Sequence, residues 1–318
     1  MTKKIYVTFM IWIMCLCVIT SLSLCWELGS LNDSFNQTIL YKVRIPRTFE
    51  ALITGAILTL AGQMFQIVLN NPLADSFTLG LASGATFGSG LALFLGLSFI
   101  WLPIFSIGFS LFTLIIVLMV ATIVSKGYPV KILIVTGLMI GALFNALLYI
   151  LVLIKPSQMN QIANYFFGGF AAAETKEMIY ISVVAIPSVI ILFGMISSIK
   201  LLQLGELKGQ SLGLNVQRVT FIVLTLASIM TAIAVAYVGV IGFIGMVIPQ
   251  LIRRYYSGYT IGMQMILNIL IGATMMLFAD WIGSIIINPV QIPASIILAL
   301  IGIPTLFYIL ISQSKVLR

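Results

Sequence analysis

PIFSIGFSLFTLIIVLMVATIV, residues 103–124, runs for twenty-two residues without a single charge. One crossing of a hydrocarbon core needs roughly 20 mostly apolar residues, so this stretch reads as a membrane-spanning helix. It is one of ten such runs. The others lie at about 5–25, 48–68, 78–98, 131–153, 178–198, 219–238, 241–256, 262–283 and 292–312. Hydrophobic residues make up 61% of the 318 and charged residues only 8%, and the mean hydropathy is +1.19. A soluble domain carries about 25% charged residues. Lipid must therefore cover most of this surface. The pattern predicts an all-α integral membrane protein of about ten spans, one transmembrane domain over residues 1–318, with no separate soluble domain.

Some spans are interrupted. Gly239, Gly242, Gly245 and Pro249 fall in the short eighth run, and Pro293 and Pro304 in the tenth. Broken helices are tolerated where protein or a cavity, not lipid, surrounds them. Gly80, Gly84 and Gly88 form a four-residue ladder in the third span, as do Gly137 and Gly141 in the fifth. Such ladders let helix backbones approach closely.

Lysine and arginine set the orientation. With both termini cytoplasmic, the inside holds Lys3, Lys4, Lys126, Lys131, Lys200, Lys208, Arg218, Arg253, Arg254, Lys315 and Arg318. The outside holds only Lys42, Arg44, Arg47, Lys155 and Lys176. The net charge of +8 is thus a matter of topology, since the basic residues are scattered singly, and nucleic acid is not an expected partner. Trp26, Trp101 and Trp281 lie near outer span ends, as an aromatic belt would. Lys3 and Lys4 ahead of a long apolar run imitate a signal peptide, but the run is longer than a signal core, and an uncleaved first span is expected.

Several chemistries are excluded or disfavoured. The chain has no histidine, so it cannot ligate haem through His and lacks the usual proton shuttle. It has no G-x-x-x-x-G-K-[ST] loop to cradle ATP. No paired acids share one apolar run, which leaves a two-metal or proton-relay site hard to build. Cys15, Cys17 and Cys25 all sit in the first run, where buried small apolar residues are the expectation. No metal, cofactor or catalytic residue is expected. Glu50 follows Arg47 by three residues, close enough to pair on one helix face.

Two segments stand out. Residues 201–218, LLQLGELKGQSLGLNVQR, form the longest polar stretch on the inside. Gly205, Gly209 and Gly213 cut it into short pieces that could lie along the membrane and be pushed by a cytoplasmic motor; an ordinary loop is the alternative. Arg44-Ile45-Pro46-Arg47 opens the second span, with Pro46 suited to a helix first turn. Its two arginines either dock acidic side chains or anchor the helix at the interface.

The chain resembles the FecCD-type permeases that import iron–siderophores, haem or cobalamin. The resemblance runs through RIPR at 44–47, GAILTLAGQMFQ at 55–66, NPLAD at 71–75, LGLASGA at 79–85, FGGF at 167–170, LGELKGQSLGL at 204–214, GVIGFIGMVIPQLIRR at 239–254, the Asp280 segment and QIPASIILALIGIP at 291–304. It implies a permease in a bacterial cytoplasmic membrane that pairs with a second permease chain, as homodimer or heterodimer. Two ATP-binding subunits would sit beneath, and an extracytoplasmic substrate-binding lipoprotein would dock outside. Leu204, Gly205, Glu206, Lys208, Gln210, Ser211, Leu212 and Gly213 align with the region coupled to the ATPase. Arg44 and Arg47 align with outer arginines that meet glutamates of the binding protein. Three positions depart from the family: Gln250 for a usual histidine, Ser284 for an arginine, and Gln291 for a glutamate. The resemblance implies no ATP hydrolysis by this chain and an iron(III)–siderophore cargo, with haem or cobalamin as the alternative. An ion-coupled secondary transporter should carry a midplane acid or sodium site, and a membrane-embedded enzyme should cluster Asp, Glu or His at one face; neither pattern is present.

Overall fold

The computed structural model describes residues 2–30, 32–124, 130–155, 168–287 and 290–314. Lys126, Phe167 of the FGGF stretch, and Lys315 and Arg318 of the C-terminus lie outside the described residues. The described chain is helical, with no named strand. Its α-helices are α1 (Thr2–Cys25), α2 (Ser34–Ile39), α3 (Ile45–Val68), α4 (Leu81–Phe94), α5 (Trp101–Val124), α6 (Val130–Ile154), α7 (Thr175–Gly194), α8 (Ile196–Leu202), α9 (Glu206–Ser211), α10 (Val216–Val238), α11 (Ile244–Tyr255), α12 (Ile261–Ile285) and α13 (Ala294–Ser314). Seven helical stretches are long and apolar enough to cross a membrane, and two shorter apolar helices, Leu81–Phe94 and Ala294–Ile309, accompany them.

The second crossing differs from its sequence expectation. A π-helical turn, Leu40–Arg44, joins α2 to α3, so one helical stretch runs 35 residues from Ser34 to Val68. Pro46 therefore sits well inside a rod and does not open it. A proline ring clashes with the carbonyl four residues back, and a π turn just before it widens the backbone where that carbonyl lies.

α3 is the central pillar, buried along most of its length. Glycine makes this possible. A Cβ on Gly62 would collide with the carbonyl of Gly245 at the start of α11, and one on Gly55 with the backbone of Gly272 on α12. Where the backbones close in, Thr59 Oγ1 donates to the Asn268 carbonyl on α12 at 2.7 Å, and Gln66 Nε2 donates to the Met246 carbonyl at 2.9 Å. α4 is wedged between two neighbours: Gly84 and Gly88 face α5, and Gly80 faces Gly137 on α6. The glycine ladders are thus contacts within the chain.

The eighth run breaks where its glycines predict. The chain from Gly239 to Phe243 is not helical, with φ +81° at Gly239 and +67° at Phe243, before α11 resumes at Ile244. The apolar side chains of α1, α5, α6 and α13 remain widely exposed, as lipid or a second chain requires.

Candidate functional site

Near the start of α3, Arg47 does not pair with Glu50. Its guanidinium forks onto Asp280 of α12, with Nε donating to Oδ2 at 2.7 Å and Nη2 to Oδ1 at 3.0 Å. The Asp280 side chain is 2% exposed and that of Arg47 20%. Two parallel charge-assisted bonds in this geometry are strong and directional. Gln291 joins them: with its amide oxygen toward the guanidinium, it accepts from Arg47 Nη1 at 3.2 Å. Three segments far apart in sequence (α3, α12 and the chain ahead of α13) are therefore tied at one point. A glutamate at 291 would have added a second negative charge to one arginine; glutamine leaves the pair balanced.

Arg44 is half-buried and donates from Nη1 to the Leu24 carbonyl at 3.0 Å. It thus satisfies a carbonyl in the last turn of α1, where a cation is favoured by the helix dipole. Trp26 meets Trp281 edge-on, with ring centroids 5.6 Å apart, which closes the outer end between α1 and α12. Between them lies a cavity of about 280 Å³, lined among others by Glu27, Arg44, Arg47, Asp280 and Ser284. Ser284 turns its hydroxyl back onto the Trp281 carbonyl at 2.7 Å, leaving open the space a longer basic side chain would have filled.

Between α7 and α10, α8 and α9 form two short helices joined through Gln203, Leu204 and Gly205, with Gly205 at φ +92°. Gly213 at φ +84° ends the second piece, and Asn215 caps α10 by accepting from the Arg218 backbone N–H at 3.0 Å. Gly205 and Gly213 thus divide the segment as the sequence suggested, whereas Gly209 lies within α9 and does not break it. Lys208, Gln210, Ser211, Leu212 and Gly213 are exposed, and Gly209 is buried under the bend. Leu207 is 84% exposed and, with Leu204 and Leu212, presents an apolar strip at the tip. Leu207 was missed at the level of sequence. Its signal is an apolar residue between Glu206 and Lys208, on a piece too short to hide it.

The three departures have distinct surroundings. Gln250 on α11 is 3% exposed and neither end of its amide has a partner. Ser284 borders the outer cavity. Gln291 completes the Arg47–Asp280 contact.

The chain matches the FecCD transport family over residues 5–312. It is 33% identical to the Fe(3+)-citrate import system permease protein YfmE of Bacillus subtilis (strain 168) over 297 residues, covering 91% of this chain and 86% of that protein. It is 31% identical to the molybdate import system permease protein MolB of Haemophilus influenzae over 285 residues, covering 89% of this chain and 83% of that one. A solved structure of a metal-chelate type ABC transporter in an inward-facing conformation superposes with a TM-score of 0.86 at 29% identity, over 98% of this chain and all of the other. The chain therefore belongs to the FecCD transport family of ABC importer permeases and is a multi-pass protein of the cytoplasmic membrane.

Proposed function

We propose that the chain forms, with a second permease chain, the pathway of a binding-protein-dependent importer for an iron(III) chelate of the siderophore class. It would cross the membrane ten times with both termini inside. Separate ATP-binding subunits would engage the segment 204–213 from the cytoplasm, and an extracytoplasmic binding protein would dock over Arg44 and Arg47. The cargo would move by alternating access. Shifting a two-state equilibrium from 1:99 to 99:1 takes about 5.5 kcal/mol of differential binding, which nucleotide binding by two partner subunits can supply.

The observation that carries the proposal is the separation of two surfaces on one rigid bundle. The outer end gathers arginines around an open cavity, and the inner end presents a hinged pair of short helices with an uncovered apolar tip. The likeness to an Fe(3+)-citrate permease and to a metal-chelate transporter supports iron. The likeness to a molybdate permease favours a second reading, an oxyanion cargo. Arg47 already holds Asp280, so a docking carboxylate would meet the part of its guanidinium left exposed, alongside Arg44.

Proteoliposomes containing the permease with its partner ATPase and binding protein decide the matter. ATP-dependent uptake of a radiolabelled ferric chelate, outcompeted by excess unlabelled chelate and not by molybdate, is the expected result. Molybdate uptake without ferric-chelate uptake would replace iron with the oxyanion reading.

A further inference from the structure

A second cavity, of about 510 Å³, lies between the outer ends of several spans. That volume is typical of sites for small organic ligands, about 300–1,000 Å³. Its walls come from α4, α5, the glycine segment 168–169, α7, α10 and the chain ahead of α13, and include Phe99, Phe170, Glu177, Tyr237 and Gln291. In the ten-span topology proposed above, these positions lie on the outer side. Tyr237 is held between two rings, stacked on Tyr180 with centroids 6.0 Å apart and tilted on Phe99 at 5.5 Å. Its hydroxyl is buried and has no hydrogen-bond partner.

The acids here have no cationic partner among the described residues. Glu177 is 5% exposed. Its Oε2 accepts the Glu174 backbone N–H at 3.0 Å, as the closing half of a capping box. Glu50 is 1% exposed and its Oε2 has no partner. Glu50 lies near Glu177, and Tyr237 near both. Among the described residues, the ion pair of Arg47 goes to Asp280, and no lysine or arginine pairs with Glu50 or Glu177. A buried acid without a cation is costly, and an aromatic wall beside it attracts positive charge.

We propose that this cavity receives the protonated-amine end of the transported chelate, with Glu177 taking the ammonium and the rings of Tyr237 and Phe99 flanking it. The inference rests on the importer reading and narrows its cargo to chelates that carry a positive or strongly donating group. An anionic group would meet no lysine or arginine among the described residues that line this cavity.

Direct binding tests this without transport. The full chain in nanodiscs is dialysed against a radiolabelled ferric trihydroxamate bearing a free primary amine, and against the same chelate N-acetylated. The two differ by one charge. Wild type should bind the amine form about tenfold more tightly. Glu177→Gln keeps an acceptor for the Glu174 N–H, so the fold is retained, and should bring the two affinities together by weakening only the amine form. Equal binding of both chelates by wild type, binding of neither, or a preference that survives Glu177→Gln would each overturn the proposal. Uptake in the reconstituted importer is scored separately: loss of ferric-chelate uptake by wild type counts against the importer reading, whereas binding in nanodiscs alone decides the cavity.

Discussion

Arg47→Met removes one half of the outer ion pair and keeps most of the aliphatic stem. Asp280, with its side chain 2% exposed, then loses both of its guanidinium bonds. Breaking a buried pair from one side costs about 3–5 kcal/mol because a charge is left stranded. Arg47 is 20% exposed and water already reaches it, so the lower end, about 3 kcal/mol, is expected. The converse substitution is cheaper. Asp280→Asn leaves a guanidinium that can turn toward solvent, at a cost of about 1–2 kcal/mol. The double variant should cost about 2 kcal/mol, well below the sum of the single changes, because neither half then leaves a charge behind. Reversible unfolding of the purified chain in mixed detergent and SDS micelles, followed by tryptophan fluorescence, measures all three; Trp26 and Trp281 lie beside the pair and report its loosening. An Asp280→Asn variant that costs as much as Arg47→Met would refute the burial asymmetry. Single effects that simply add would show that the two groups do not act as a pair.

Leu207→Asp places a charge on the exposed tip of α9 and should abolish copurification with the ATPase while the permease still inserts; undiminished copurification would remove the tip from the coupling surface. Gly62→Leu should abolish recovery of folded protein, because a side chain there strikes the Gly245 backbone, whereas Gly108→Ala, with nothing within 4 Å of the new methyl, should be recovered at the wild-type level by size-exclusion chromatography. Arg44→Glu combined with Arg47→Glu should lower import per inserted molecule more than tenfold, since like charges at an interface cost several kcal/mol. Single alanine changes should act mainly on the association rate, more visibly at low salt. Normal import per inserted molecule in the double-Glu variant would leave both arginines as helix anchors.

The crossings were legible because lipid demands long apolar runs, and residues 103–124 satisfy that demand without help from any partner. The broken eighth run was legible too, since Gly239 takes a backbone conformation that glycine adopts freely. The rod was not. Ser34–Ile39 and Leu40–Arg44 are too polar to read as a span, and they are helical because α3 continues through them. The partner of Arg47 was likewise hidden. Glu50 is near in sequence, but Asp280 is brought close only by the glycine contacts between α3 and α12. The opposite charges of Arg47, just ahead of the second run, and Asp280, near the end of the ninth, were the available clue. The cluster of Glu50, Glu177 and Tyr237 draws on three spans, and no spacing within one run could announce it.

The helical stretch from Ser34 to Val68 has a mechanical consequence. At 1.5 Å per residue its 35 residues measure about 52 Å, against a hydrocarbon core of about 30 Å. It is a shaft with no buried residue at its Ser34–Ile39 end and the other end locked between α11 and α12. The π turn is a gear tooth on that shaft. Sliding it by one position would turn the next residue through about 100°, without unfolding the shaft or lengthening it. The Arg47–Asp280 pair, the Thr59 and Gln66 hydrogen bonds and the backbone contacts at Gly55 and Gly62 hold the rest of the rod, so such a slip stays confined to the polar end.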